Sequence, residues 1–550
     1  MITQKISEEL NKALAKMGIH DTQETKILVD KTKNIKFGDF YTNIAMILSK
    51  KNNKSSLEIA KEIANNFEQD LFLEVNLQPP GFLNFKLKAK DHENLLKQIY
   101  YEKDRFGQFS KKNITYNIEY VSANPTGYLH IAHAANAIYG DILANLLKIY
   151  GYDVETEYWI NDAGNQIDKL AMSVLVRYLQ LQNINIQLPA DAYHGQEIHL
   201  VAQTLYQTYK NQFINVRLNE KYEIDDDIAN QEIKNFAVKY LLNEIKNDLA
   251  SINTFIDTYT SENWIRNSGR ILEVLSKIKP YTYTLDGALW LKTTTFGDDK
   301  DRVLIKSDGS YTYFTPDIAY HDYKFNKTNT TKLIDVWGTD HLGYIARLKA
   351  AMNALGYDPN NLEIVCAQVM KLVKNNQEFK LSKRSGQSLT IKDLVEIIGK
   401  DALRWFLGSS SMNSHVIIDV DIALSKNNNN PLYYVQYAHA RANQVLNKQV
   451  YELDFKTDLL TETRERELLN QLHFYKQTIA NAANNREPHR ISNYLYDLAQ
   501  IFHNYYANVK INNDNNKVLS AQRYTLVWCV KQVLANGLAI MKITPYDQMY

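Results

Sequence analysis

Apolar positions near the start of the chain change period several times. Ile6–Met17 recurs at helical spacing, and Glu24–Val29 is strand-like. Asn43–Lys50 and Leu57–Phe67 return to helical spacing. Phe72–Leu77 and Phe82–Leu87 alternate around Pro79-Pro80-Gly81, a turn between two strands. This predicts an α/β unit to about residue 112. A new pattern then begins: strand Thr115–Val121, a turn, helix His130–Tyr150 stopped by Gly151, and strand Asp153–Ile160. That is one βαβ unit, and it predicts a parallel sheet. Residues 165 to about 285 are mostly helical and charged, as in Glu223–Asp227, and read as an insertion into the sheet domain. Strand signals return at Ala288–Lys292, Arg302–Lys306, Lys332–Trp337 and Ile364–Val369, with a helix at Tyr344–Leu355. Beyond about 392 the chain reads as amphipathic helices: Lys400–Ser409, Tyr433–Asn447, Glu465–Asn481, His489–Asn508 and Ala521–Met541.

Composition changes this picture little. With 45% hydrophobic and 23% charged residues over 550 positions, this is an ordinary globular chain of several domains. A net charge of +1 sets up no global field, so any nucleic-acid surface is a local patch. Two distant cysteines, Cys366 and Cys529, suggest neither a zinc cluster nor a disulfide framework. No apolar run reaches the ~18 residues of a membrane span. The start, Met1-Ile2-Thr3-Gln4-Lys5, leads into a polar helix rather than a signal segment. Together these predict a cytoplasmic protein with no structural metal.

Two stretches carry candidate chemistry. The segment Ser122-Ala123-Asn124-Pro125-Thr126-Gly127 runs from a strand into a helix beginning near His130-Ile131-Ala132-His133. Backbone N–H groups at a helix start favour anions, and two histidines three apart share a face. Some 250 residues later comes a basic loop, Lys380-Leu381-Ser382-Lys383-Arg384. Cations on a short loop suit the charge that builds on a departing pyrophosphate. Alone, the histidine segment is equally compatible with a solvated helix start, and the basic stretch alone reads first as a solvated loop or a nonspecific nucleic-acid patch. No Gly-rich phosphate fingerprint and no His-Glu-x-x-His is present.

His130–His133 resembles the HIGH signature of class I aminoacyl-tRNA synthetases, and Lys380–Arg384 resembles their KMSKS signature. The approach Ser122–Gly127, the block Tyr158–Gly164, and Phe296–Arg302, Tyr311–Tyr320 and Trp337–Tyr344 are similar to arginyl-tRNA synthetases in particular. So are Gly38-Asp39 with Asn43, Gly81–Phe85, Asp401-Ala402-Leu403-Arg404, Tyr433–Arg441 and Val533–Gly537. The resemblance covers nearly the whole chain, with its blocks in order. It implies an α/β fold class: an N-terminal α/β domain (1–112) touching the tRNA elbow, a Rossmann-type catalytic domain (113–392), and a helical anticodon-binding domain (393–550).

The resemblance also implies a two-step ligase reaction. The carboxylate of arginine attacks ATP, which enters with Mg²⁺, giving arginyl-adenylate and pyrophosphate. The 2′-OH of the terminal adenosine of tRNA(Arg) then takes the arginine, and bound tRNA is needed for the first step. Catalytic roles fall to His130, His133, Lys380 and Lys383. ATP would meet Ala123, Asn124, Pro125, Thr126, Gly127, Tyr128, Leu129, His130, Ile131, Ala132 and His133, then Asp340, His341, Lys380, Ser382 and Lys383. A guanidinium calls for carboxylates that accept planar bidentate bonds. By motif position the resemblance makes Glu119 and Asp317 the best candidates for those carboxylates, with Tyr313 expected as cover and Asn124 at the amino or carboxylate end. Tyr433, Tyr437 and Arg441 are expected on the tRNA side, with Tyr434, Tyr505, Tyr506 and Lys510 as further candidates. His321, His415 and His439 read as packing or surface residues. A monomer is expected.

Two rivals remain at this point. A cysteine-specific class I relative is disfavoured by the lack of a zinc-ligand cluster. A catalytically dead tRNA-binding paralogue is disfavoured by the two lysines of the basic loop. One departure stands out: Ala132 occupies a position where the family has glycine.

Overall fold

The computed structural model describes the chain except residues 20–26, 33, 51–53, 68–71, 328–329, 368–369, 376, 380–388, 412–415, 449, 514 and 550, and the side chains of Leu73, Asp340 and Ala367. Of the expected strand Glu24–Val29, residues 24–26 lie outside the described residues, Ile27 and Leu28 are not in a strand, and the strand begins at Val29. The chain divides into two compact units, Met1–Ser110 with Ser425–Tyr550, and Lys111–Leu424.

In the first unit, an antiparallel sheet runs in the order Val29–Lys31, Phe40–Thr42, Phe82–Leu87, Phe72–Gln78. Helices Ile2–Lys16, Ile44–Ser49 and Ser56–Asn65 bury Ile6, Leu10, Leu14, Ile44 and Ile59 against Phe40, Leu83 and Phe85. The C-terminal part of this unit is helical: Pro431–Lys448, Thr463–His473, Tyr475–Asn485, His489–Asn508 and Lys517–Ile540. The expected single helix Glu465–Asn481 is therefore two. Its ladder is interrupted at Phe474, whose N–H bonds back to Gln471 O. Phe474 stacks on Phe40, with centroids 5.4 Å apart. No glycine or proline announces this break. Asp39 is buried and accepts from Arg466 (2.6 Å), Asn470 (3.0 Å) and the Leu87 N–H (2.7 Å), which ties the two parts of this unit together.

The second unit holds a five-stranded parallel sheet in the order Leu362–Ala367, Lys332–Gly338, Thr115–Glu119, Asp153–Ile160, Thr258–Ser261. Helix Ile131–Ile149 connects the third and fourth of these. Its Gly140 lies so close to Tyr120 that a Cβ there would overlap the ring. The crossover from Asp153–Ile160 to Thr258–Ser261 carries helices Asn165–Leu181, Gln196–Tyr209 and Asp227–Ser251, which share their own core of Leu170, Val174, Val201, Ile233 and Leu241. The insertion expected over 165–285 thus ends earlier. Thr-Tyr-Thr-Ser at 258–261 is an edge strand of the main sheet; Thr and Tyr favour strands, but a four-residue run without apolar alternation is too short to stand out in the sequence.

A small antiparallel sheet follows: Thr282–Leu285, Ala288–Leu291 and Arg302–Ile305. Its hairpin turns at Asp286-Gly287, both at positive φ (50° and 75°), the backbone a two-residue primed turn requires. A third sheet contains Met370–Lys374, Gln377–Glu378 and Val416–Asp419. Residues 393–424, expected at the start of the helical domain, pack in this second unit. In helix Lys400–Gly408, fully buried Arg404 donates to Asp141 of Ile131–Ile149 (2.6 Å) and to Ile252 O (2.7 Å). The Asp-Ala-Leu-Arg run therefore clamps the sheet unit's central helix. Among the described residues no helix is long and apolar enough to cross a membrane.

Candidate active site

The connection after strand Thr115–Glu119 leads to Asp153–Ile160, and the one after its neighbour Lys332–Gly338 leads the opposite way, to Leu362–Ala367. Open α/β sheets bind ligands in the crevice at such a point. Here the crevice is a cleft of about 660 Å³, lined by Glu119, Ser122, Asn124, Asn161, Tyr313, Asp317, His321, Trp337, His341 and neighbours. That volume suits a small polar substrate. All four residues expected to hold arginine line it together with His341.

The turn after the strand is tightly held. Val121 and Ser122 adopt φ of 71° and 39°. A β-branched residue at positive φ is strained, and such strain persists only where surroundings over-determine it. They do so here. Asn136 accepts from the Val121 N–H (2.7 Å) and donates to Val336 O (2.9 Å), joining the ends of two adjacent strands. The Ser122 hydroxyl donates to Glu119 (2.9 Å) and accepts from the Trp159 N–H (3.0 Å). Tyr158 donates to Ala123 O at 2.7 Å. Asn124 is exposed and donates to Gln166.

The floor of the cleft is a buried chain of charges. Helix Phe314–Lys327 presents Asp317, His321 and Lys324 at spacings of four and three, hence on one face. Lys324 is 0% exposed and sits between Glu119 (2.7 Å) and Asp335 (2.8 Å). His321 Nε2 faces Asp335 Oδ2 at 2.8 Å. Its Nδ1 faces the Asp317 carbonyl at 2.8 Å and the Asp317 carboxylate at 3.2 Å. Burial and Lys324 oppose a charge on His321, but Asp317 and Asp335 outweigh them and raise its pKa to about 9. Burial also opposes the charge on Lys324, and its two carboxylates prevail, raising it. Burial pushes against ionised Asp335, yet Lys324 and His321 hold it down to about 2. Burial pushes the Glu119 carboxyl upward, opposed by Lys324 and more weakly by His321, while neighbouring Asp335 adds to the rise. Tyr313 stands over the cleft, 61% exposed, its hydroxyl 3.4 Å from Asn161 Oδ1.

His321 was expected to be a packing or surface residue, and it is instead at the centre of this network. Lys324 and Asp335 were not singled out at all. The signal for His321 and Lys324 was their spacing from Asp317, legible once 314–327 is read as a helix. His439 is buried, with Nδ1 2.9 Å from Tyr546 O. His415 lies outside the described residues.

The histidine signature sits where Ile131–Ile149 begins. His130 Nδ1 accepts from the Ala132 N–H (3.3 Å), and His133 Nδ1 accepts from the His130 N–H (3.2 Å). Their rings lie 3.9 Å apart. Burial lowers the pKa of His130, and burial plus the neighbouring ring lowers His133 to about 3. Ala132 is exposed. Pro125 and Leu129 are buried, while Thr126, Gly127, Tyr128 and Ile131 are half-buried. Lys380, Ser382 and Lys383 lie outside the described residues. The chain that follows them returns to the signature, since Thr390 bridges to His130 and the Ile391 N–H donates to Leu129 O (2.9 Å). Asp340 and His341 lie just past strand Lys332–Gly338, in the turn Thr339–Tyr344. Among the described residues, no group of three His, Cys, Asp or Glu side chains is placed to hold a metal ion.

In the other unit, Tyr433 and Tyr437 stack at 5.7 Å, and the Arg441 guanidinium lies over the Tyr437 and Tyr506 rings at 4.5 and 4.7 Å. Burial lowers His503 to about 4, and its Nδ1 accepts from Arg441 at 2.9 Å. Tyr505 is fully buried, so it is a core residue.

Three family models match the chain: the arginyl tRNA synthetase N terminal domain over 4–87, the catalytic domain of class I (R) tRNA synthetases over 95–421, and the DALR anticodon binding domain over 435–549. The chain is 44% identical over 527 residues to the arginine–tRNA ligase of Malacoplasma penetrans, covering 94% of this chain and 93% of the relative. It is 39% identical over 556 residues to that of Bacillus cereus strain ATCC 10987, covering 99% and 98%. The solved structure of Thermus thermophilus arginyl-tRNA synthetase shares the fold at a TM-score of 0.78, with 20% identity and full coverage of both chains. A cleft at the sheet's switch point, a histidine signature beside it and these three matches in order agree: the chain belongs to the arginyl-tRNA synthetase family.

Proposed function

We propose that this arginine–tRNA ligase divides its two steps among the residues above. The carboxylates of Asp317 and Glu119 receive the guanidinium of arginine, Tyr313 covers it, and Asn124 meets its amino or carboxylate end. ATP lies along Ala123–His133, with Asp340 and His341 at the facing strand end and Mg²⁺ entering as part of the substrate. His130 and His133 act as neutral donors. Each Nδ1 accepts a backbone N–H, which leaves the Nε2 hydrogen for phosphate oxygens. Lys380 and Lys383 supply positive charge to the leaving pyrophosphate, assisted by Ser382. An arginine carboxylate oxygen bonds to the α-phosphorus as the bond to pyrophosphate breaks. The 2′-OH of the terminal adenosine then attacks the activated carbonyl and AMP leaves.

The observation that carries this reading is one cleft lined by Glu119, Asn124, Tyr313, Asp317 and His341. The bridge from Thr390 to His130 supports a role for the basic segment in the same place. On the tRNA side, Tyr433, Tyr437 and Arg441 offer rings and a guanidinium for unstacked anticodon bases. The N-terminal domain, to about residue 110, contacts the tRNA elbow, and the enzyme works as a cytoplasmic monomer. The test is direct: purified protein charges tRNA(Arg) with arginine, and exchanges pyrophosphate into ATP only with that tRNA present. Folded protein that charges no tRNA(Arg) would overturn the reading.

A further inference from the structure

The buried floor of the cleft is a chain of ion pairs, and the atoms that face one of its members point to that member's protonation state. His321 Nε2 meets a carboxylate oxygen at 2.8 Å, and Nδ1 meets a carbonyl oxygen at 2.8 Å and a second carboxylate at 3.2 Å. A carbonyl oxygen and an ionised carboxylate only accept, and Lys324 beside Asp335 favours the ionised form there. A neutral imidazole would put a lone pair against one of them, so both nitrogens carry hydrogen. We infer that His321 is a buried imidazolium that positions Asp317 for the guanidinium of arginine, linking it through Asp335 and Lys324 to Glu119.

This rests on the assignment of Asp317 and Glu119 to arginine. It adds the reason why those carboxylates are held ready. A carboxylate at the mouth of a cleft can rotate or take up a proton when no cation is bound. Here the charges alternate along the floor: Asp317, His321, Asp335, Lys324, Glu119. Each acid is already tied to a cation on its buried side, so an incoming guanidinium finds fixed acceptors rather than having to organise them. Preorganisation of this kind lowers the ordering cost of binding. The groups facing His321 are Asp317 and Lys324 from its own helix and Asp335 from strand Lys332–Gly338, with Glu119 of strand Thr115–Glu119 beyond Lys324. Two acids against one further cation favour the proton.

His321 is thus a positioning residue. Its loss should raise the KM for arginine while leaving the KM for ATP in place. His321→Gln keeps an amide that can satisfy one acceptor but carries no charge. The expected result is a KM for arginine raised about tenfold, with the KM for ATP within about twofold. The wild-type to His321→Gln ratio of arginine kcat/KM should also fall as pH rises through about 9, where the imidazolium loses its proton. Taking the ratio cancels titration of the substrate's own amino group. Histidine ¹⁵N chemical shifts of the wild type supply a second reading, with His321 doubly protonated at pH 7.5. Equal changes in the two KM values, a ratio flat with pH, or a neutral tautomer at pH 7.5 would each overturn the inference. Asp317→Asn in the same assays separates that outcome from failure of the arginine assignment itself, since an unchanged KM for arginine in that variant would mean that Asp317 does not receive the guanidinium.

Discussion

His321 and His133 are both enclosed by the sheet unit, yet their ring nitrogens meet opposite partners. Those of His321 face oxygens, which accept, so the ring takes a second proton and its pKa rises to about 9. Nδ1 of His133 faces a backbone N–H, which donates, so it must offer a lone pair, and burial lowers its pKa to about 3. Removal from water opposes charge on both. Only nearby carboxylates reverse that preference. The difference matches what each site is proposed to receive. A pocket for a guanidinium needs fixed negative ends backed by buried cations. A helix start proposed to receive phosphate can keep neutral donors and leave full positive charge to the basic segment Lys380–Arg384.

The largest effect should come from breaking the cation chain. Lys324→Met leaves Glu119 and Asp335 buried with one partner fewer. Removing one member of a buried ion pair costs about 3–5 kcal/mol. Thermal unfolding of the sheet unit should shift down accordingly, and activity at permissive temperature should fall with it. An unchanged melting temperature would mean that water already compensates these charges.

The two histidines should also shape stability against pH in opposite directions. His321 has a raised pKa, so its contribution is present below about 6.5 and fades as pH rises towards 9. His133 has a lowered pKa, so stability is intact above about 6.5 and falls as pH drops towards 3. Denaturant melts across this range should show His321→Gln losing its alkaline slope relative to wild type, and His133→Gln losing part of its acid slope. Identical slopes in both variants would erase the contrast.

The smallest effect is expected at Ala132. It is exposed at the helix start, so one methyl group can be absorbed by a small shift. Ala132→Gly should change the KM for ATP by less than about threefold, since glycine adds close backbone approach and costs some helix stability. A gain of a hundredfold would mean that the methyl obstructs the nucleotide.

Much of the fold and of the cleft's lining was readable in the residues. The βαβ unit from Thr115 to Ile160 follows from hydrophobic period and a Gly stop, and the cleft gathers all four expected arginine contacts. What escaped were features set by tertiary partners. Thr258–Ser261 is a short run without apolar alternation, and its place in the sheet is set by pairing along Asp153–Ile160. Phe474 interrupts a helix where its ring stacks on Phe40. Arg404 resembled part of a helical domain, and its actual partner, Asp141, lies 263 positions away. His321 was passed over for the same reason: Asp335, which helps set its charge, sits on another strand.

The central claim is that this cleft reads the charge of a guanidinium through Asp317. Citrulline has nearly the shape of arginine but a neutral ureido group, so competition between the two isolates charge from shape. The measurement is their relative affinity for wild-type and Asp317→Asn enzyme, with tRNA(Arg) and an ATP analogue present. The account predicts that wild type prefers arginine by at least a hundredfold, and that Asp317→Asn loses most of that preference while its tRNA affinity is unchanged. Discrimination retained in full by Asp317→Asn would contradict it.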